Sequence, residues 1–216
     1  MQRQLAMRRR MLDDGARPVG WKLGLGTPAA MEKLGTAAPL VGFLTERSVL
    51  EPGATCAVGG WGKPMAEPEV AIHIGTDIPA ATDRSAAAAA IGGLGAAIEL
   101  VDVENSTDVE EILAGDVFQR RVVLGRPEAA SADRLRAEIR LGAADAKTVD
   151  DPYALTGGPA KAVAHVATHL AAFGETLRAG EVVIAGSIVP ALAVAPGDRL
   201  RYRLDPLPEL SVEFAD

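Results

Sequence analysis

Two glutamates flank a proline inside a run that otherwise reads as a buried strand: Pro64-Met65-Ala66-Glu67-Pro68-Glu69-Val70-Ala71-Ile72-His73-Ile74-Gly75. On a strand, residues i and i+2 project from one face, so Glu67 and Glu69 stand side by side. Carboxylates that close repel each other and resist desolvation. A hard divalent cation bound through oxygen offsets both costs. A second apolar run, Gly95-Ala96-Ala97-Ile98-Glu99-Leu100-Val101-Asp102-Val103, carries another acid, Glu99. Three carboxylates on two strands form a candidate Mg2+-type site. Pro68 admits a second reading, an edge strand, where proline is tolerated; Glu67 and Glu69 would then be solvated. The spacing alone leaves both open.

The chain has 216 residues, 48% hydrophobic and 24% charged, as folded globular proteins do. Four Phe, two Trp and two Tyr are too few for an aromatic core, so the core is aliphatic. A net charge of −7 without a basic stripe argues against a nucleic-acid partner. Cys56 is the only cysteine, which excludes an internal disulfide and a cysteine-built metal site and points to a reducing, cytoplasmic setting. No apolar run reaches the roughly 18 residues of a membrane span. Met1 to Leu12 is basic and lacks the apolar stretch of a secretory signal.

Met1 to Asp14 reads as a helix stopped by Gly15, making residues 1–17 a short helical arm. Strands are expected at Val19–Leu25, Val41–Leu44, Ala54–Val58 and Met65–Ile74. Pro28–Leu34 is a short helix, capped by Thr27 and stopped by Gly35. Asp83 caps an Ala-rich helix running to Ala90, which Gly92-Gly93 breaks before the Glu99 strand. Glu104 to Gly115 is polar with one helical segment, and Arg121–Leu124 is a strand. Leu135, Ala137, Ile139 and Leu141 alternate with Arg134, Arg136, Glu138 and Arg140, the pattern of a half-buried strand, with a hairpin turn at Gly142–Asp145. Pro159–Phe173 is the clearest helix, with Pro159 at its first position and Ala162, Val163, Val166, Ala167, Leu170 and Ala171 as its apolar stripe. Strands at Val182–Ala185, Leu200–Leu204 and Leu210–Phe214 close the chain. Many strands and few long helices, without regular βαβ alternation, argue for a single α+β domain over residues 1–216.

Gly24-Leu25-Gly26-Thr27-Pro28-Ala29 matches G-x-G-x-x-A, and Glu46 lies where a ribose-binding acid would be expected. The following helix is too short for a crossover, and a charged Lys22 interrupts the preceding strand. A dinucleotide site is the weaker reading. His165 and His169 are an i, i+4 pair, read as helix surface because no HExxH sequence accompanies them. His73 shares the face of Glu67 and Glu69; it reads as a structural histidine, with a fourth ligand or proton relay as the alternative.

Val19-Gly20-Trp21-Lys22-Leu23-Gly24-Leu25 resembles the G-[YW]-K-[IL]-G segment of the 2-keto-4-pentenoate hydratase branch of the fumarylacetoacetate hydrolase superfamily. Pro64 to Gly75 is similar to its E-x-E strand, and Ala97-Ile98-Glu99-Leu100-Val101-Asp102 to its A-[IL]-E-[IL]-V-D strand. Gly158 to Ala164, Ala171 to Gly174, Ala179 to Ser187 and Pro196 to Asp198 follow the family end in order and spacing. The resemblance implies a mixed β-roll core with flanking helices, like the C-terminal part of fumarylacetoacetate hydrolase. It implies Mg2+ or Mn2+ held by Glu67, Glu69 and Glu99. Lys22 falls on the family's active-site lysine and Ser187 on its substrate-side serine, so Lys22, Glu67 and Ser187 make up the implied catalytic set. Asp102 lies three residues beyond Glu99, on the other face.

The implied activity is that of a metal-dependent lyase of aromatic-compound catabolism, adding water to a small 2-hydroxydienoate or 2-oxo-enoate. The alternatives are an acylpyruvate-type C–C hydrolase, a 2-oxo acid decarboxylase, or an inactive small-acid-binding homologue. The implied assembly is a homodimer or larger homo-oligomer. Lys22, beside a cation and partly buried, is expected to have a lowered pKa and to shuttle a proton, or to stay charged and hold the substrate carboxylate; its plain reading is a snorkelling side chain. The family's Asn-[AS]-Ser-like loop is replaced here by Gly115-Asp116-Val117-Phe118-Gln119-Arg120-Arg121, where Arg120 and Arg121 either bind a further substrate carboxylate or start a solvated strand.

Overall fold

The computed structural model describes residues 1–128 and 135–216. Arg134 of the alternating run lies outside the described residues. In chain order the elements are α1 (Gln2–Asp13), β1 (Pro18–Gly24), α2 (Pro28–Leu34), β2 (Leu40–Thr45), β3 (Val49–Leu50), β4 (Thr55–Ala57), β5 (Pro64–Ile74), α3 (Arg84–Ala89), β6 (Ile91–Asp102), α4 (Val109–Ala114), β7 (Gln119–Leu124), β8 (Arg136–Leu141), β9 (Lys147–Val149), α5 (Pro159–Ala171), β10 (Val182–Ser187), β11 (Leu192–Ala193), β12 (Arg199–Asp205) and β13 (Leu210–Ala215).

The helix ends follow their capping residues. Thr27 Oγ1 accepts from Ala30 N at 3.3 Å and Asp83 Oδ1 from Ala86 N at 2.8 Å. Gly35 closes α2 in the left-handed region at φ +65. Pro159 opens α5, which buries Ala162, Val163, Val166, Ala167 and Leu170. The short strands β3, β9 and β11 carry no sequence signal of their own. Gly92 and Gly93 do not break a helix before β6; they lie within it. A Cβ on Gly92 would sit 3.0 Å from Gly75 Cα, and one on Gly93 would sit 3.1 Å from Glu128 O, so they serve close backbone approach.

The strands form two sheets. The larger runs β2-β1-β10-β5-β6-β7-β3, with β11 added beside β5; the smaller runs β4-β13-β12-β8-β9. The fold is α+β: mixed sheets with flanking helices, curled as a β-roll. Alternation along β1 divides its side chains. Trp21 and Leu23 enter the main aliphatic core with α1, α5 and the smaller sheet. Lys22 turns to the opposite face of the larger sheet. A second cluster of Leu44, Ala71, Ala97, Val122, Val182 and Ile184 packs separately from that core. It lies on β2, β5, β6, β7 and β10, of which β5 and β6 carry the three glutamates. The helix α1 docks through Arg8, whose guanidinium stacks 4.5 Å over the Trp21 ring and pairs with Glu181 at 3.6 Å.

Candidate metal centre and its cavity

Antiparallel pairing sets Glu67 of β5 directly opposite Glu99 of β6, with Glu69 two residues along on the same face. The edge-strand reading of Pro68 fails, because β5 lies between β10 and β6. The proline is accommodated beside a β-bulge: the β10 register steps between Ile184 and Ser187. Gly186, in that bulge at φ +94, directs its N–H to Glu69 Oε2 at 2.7 Å. One oxygen from each of Glu67, Glu69 and Glu99 lies within 4.8 Å of the other two. Glu69 and Glu99 are fully buried and Glu67 is half-buried.

Burial pushes the Glu69 carboxyl well above its usual range, and the charges of Glu99 and Glu67 add to the shift. Burial raises Glu99 as well, opposed by Lys22. Glu67 is raised to about 7, first by burial and then by Glu99, against the pull of Lys22. Glu69 Oε1 and Glu99 Oε2 are buried and meet no N–H or O–H donor among the described residues. A shared proton, an ordered water or a cation satisfies such oxygens. An all-oxygen donor set suits a hard divalent ion rather than a soft one. The residues present therefore fit Mg2+ or Mn2+.

Lys22 is buried to 1% exposure and reaches this cluster. Its ammonium donates to Glu99 Oε1 and, at 2.9 Å, to the carbonyl of Val117. Gly42 makes room for it: a Cβ there would lie 2.7 Å from Lys22 Cγ. The expected lowering of the Lys22 pKa belongs to a site with its cation; among the side chains alone the shift runs the other way. Burial alone would depress the ammonium, but Glu99, Glu67 and Asp116 outweigh it and hold it above its ordinary value. The snorkelling reading fails as well, since the head group is the buried part.

Asp116, Val117 and Phe118 form a turn in which three consecutive non-glycine residues have φ of +53, +55 and +66. Left-handed backbone is costly for L residues, most of all for β-branched Val, so the surroundings must over-determine it. They do. Asp116 Oδ1 accepts from Phe43 N at 2.9 Å and from Gln4 Nε2 at 2.7 Å, tying the turn to β2 and α1. Burial raises the Asp116 carboxyl to about 7, opposed by the Phe43 amide and Lys22. The sequence reading marks this loop as altered but assigns Asp116 no role; an acid before Val-Phe carries no turn signature.

A cavity of about 600 Å³ opens over the cluster, within the range of small-molecule sites. Glu67 and Ser187 line it, and its walls come from the Gly24–Thr27 loop, α2, the 37–39 segment, the start of α5 and the 185–191 segment. The G-x-G-x-x-A loop is thus a cavity wall. β1 pairs antiparallel with β2 and α2 has no buried residue, so no βαβ crossover exists at this point. Glu46 instead accepts from the Arg17 amide. Ser187 lies at the cavity with its hydroxyl donating to Val189 O at 2.6 Å.

Other sequence candidates fall away from the centre. His73 shares the strand face with Glu69 but lies four residues, about 13 Å, along it. Its ring meets the backbone at Gly125, and burial lowers its pKa. Asp102 accepts from Lys63 N at 2.7 Å, outside the cluster. Arg120 pairs with Asp102 at 3.6 Å and Glu104 at 3.8 Å, and Arg121 is exposed, so neither lines this cavity. His165 and His169 are half-buried rather than surface residues: His165 Nε2 sits 3.0 Å from Pro39 O at the cavity wall, and the His169 ring packs against Phe173 at 5.3 Å.

The fumarylacetoacetate (FAA) hydrolase C-terminal family model matches residues 22–215. The chain belongs to the fumarylacetoacetate hydrolase family. Within that family it is 31% identical to 2-keto-4-pentenoate hydratase 1 of Dechloromonas aromatica, over 96% of this chain and 81% of that protein. It is 29% identical to the 2-hydroxyhexa-2,4-dienoate hydratase of Comamonas testosteroni, over 94% of this chain and 80% of that protein. Among solved structures, the 4-oxalocrotonate decarboxylase of Pseudomonas putida G7, complexed with magnesium and adipate, superposes with a TM-score of 0.88 at 26% identity, covering 98% of this chain and 83% of that one.

Proposed function

We propose that this protein is a Mg2+- or Mn2+-dependent hydro-lyase that adds water to a small 2-hydroxydienoate or 2-oxo-enoate. The observation that carries the reading is the trio Glu67, Glu69 and Glu99, with donor-less buried oxygens, beneath a mostly apolar cavity and beside one buried lysine. Its relatives named as hydratases and the magnesium complex of the related decarboxylase support it. The ion, when bound, supplies Lewis-acid polarisation of the oxygen of a 2-oxo acid.

The chain's own residues do the rest. Glu69 and Glu99 would hold the ion together with Glu67, Glu69 being fixed by the Gly186 amide. Lys22 Nζ orients Glu99 and keeps a positive charge beside the reacting end of the substrate. Glu67 is the one member of the trio that lines the cavity, so it can join the oxygen donors for the ion and meet the substrate from the same carboxylate. Ser187, spending its proton on Val189, is left with acceptor capacity toward the substrate. The aliphatic walls exclude bulk water from the cavity floor. The enzyme acts in the cytoplasm as a homodimer or larger assembly, which sedimentation tests.

A second reading keeps the site and changes the bond: decarboxylation of a 2-oxo diacid, supported by the likeness to 4-oxalocrotonate decarboxylase. The C–C hydrolase alternative is disfavoured because His73, its candidate base, is remote from the glutamates. The test is Mg2+-dependent turnover of 2-hydroxypenta-2,4-dienoate beside CO2 release from 4-oxalocrotonate. Lys22→Met and Glu67→Gln are expected to lower kcat by about 10²-fold or more. Wild-type rates in both variants would contradict the proposed roles.

A further inference from the structure

The cavity has a second charged pole that the hydration chemistry does not use. Besides Glu67, the ionisable groups on its wall are Lys161 and His165 of α5. His165 is engaged with the Pro39 carbonyl at 3.0 Å. Lys161 makes no ion pair among the described residues, with Glu67 or with any other acid. It is exposed at the cavity wall. Gly157, at φ +78, leaves the space that it occupies: a Cβ there would lie 2.7 Å from Lys161 Cδ and 3.0 Å from its Nζ. The neighbouring Thr156 also lines the cavity, and its buried Oγ1 finds no hydrogen-bond partner among the described residues.

A cation and a hydroxyl, both with unspent capacity on a mostly apolar wall, are the groups that an entering carboxylate requires once it leaves water. Lys22 cannot serve this end of a ligand, because it is buried against Glu99. A ligand with one carboxylate, held at the glutamates, would leave Lys161 and Thr156 unused. We propose that Lys161 and Thr156 form an anion subsite for a second, distal carboxylate, so that the preferred substrate is a 2-oxo dicarboxylic acid or its dienol rather than a monocarboxylate. Lys161 is then the residue that sets specificity. This inference rests on the reading of the glutamate centre given above.

Calorimetric titration of the Mg2+-loaded protein with 2-oxoadipate and with its near-isostere 2-oxohexanoate tests it. The wild type is expected to bind the diacid about tenfold tighter or more, the scale of a hydrogen-bonded charge pair. Lys161→Met is expected to bring the ratio of the two affinities close to one, and Lys161→Arg to keep the preference. Equal affinities in the wild type, or a preference that survives Lys161→Met, overturn the subsite while leaving the metal centre standing. Failure of both acids to bind overturns the subsite and the reading of the centre together.

Discussion

Four carboxyls, those of Glu67, Glu69, Glu99 and Asp116, feel the single ammonium of Lys22, and that imbalance governs the behaviour of each. Removing the ammonium leaves Glu99 buried without a cation. Loss of one partner of a buried pair costs about 3–5 kcal/mol, so the metal-free Lys22→Met variant should unfold at a clearly lower urea concentration than the wild type. Unchanged urea midpoints would mean that Glu99 does not depend on Lys22. The carboxyls also set a pH dependence. Glu67 titrates at about 7 in the fold, against 4.5 as its ordinary value. Across that window the folded state holds more protons than the unfolded one, so metal-free stability falls as pH rises. Glu69 and Glu99 shift in the same direction. Thermal melts in EDTA should give a higher Tm at pH 5.5 than at pH 7.5, with added Mg2+ raising Tm more at the higher pH. A Tm that climbs with pH in EDTA would contradict these shifts.

At the scale of elements, the β10 bulge connects backbone geometry to the centre. Gly186→Ala puts a Cβ on a residue at φ +94 and disturbs the amide that holds Glu69. Groups that orient a metal ligand are typically worth about 10–100-fold in affinity, and Mg2+ binding should weaken on that scale while far-ultraviolet circular dichroism is retained. Unaltered affinity would remove the bulge from the mechanism. The elements that could be read from sequence are those with local causes. Thr27, Gly35, Asp83 and Pro159 set helix ends through their own nearest neighbours, and alternation placed Glu67 and Glu69 on one face; Glu99 joins them through the β5–β6 register. The unreadable parts depend on distant chain. Pro68 sits in mid-sheet because β10, more than a hundred residues later, bulges beside it. Val117 is held left-handed by hydrogen bonds that Asp116 draws from Gln4 and Phe43. Gly92 and Gly93 read as helix breakers because the close approach of Gly75 and Glu128 leaves no local trace.

Across the whole molecule, the smaller sheet is tied to the backbone of the strand that carries the candidate centre. Tyr202 of β12 is fully buried and its hydroxyl donates to the Glu69 carbonyl at 3.1 Å. Tyr202→Phe removes that donor and should cost about 1–3 kcal/mol of stability, read as a lower urea midpoint; an unchanged midpoint would show that the link between the sheets carries no weight. The direct measurement on the centre itself is calorimetric titration of the EDTA-stripped protein with Mg2+ and Mn2+, with and without oxalate as an enolate mimic, on the wild type and Glu69→Gln. The expected result is saturable binding by the wild type, tightened by oxalate and lost in Glu69→Gln. No binding of either ion by the wild type, with oxalate present or absent, would contradict the three-glutamate metal centre.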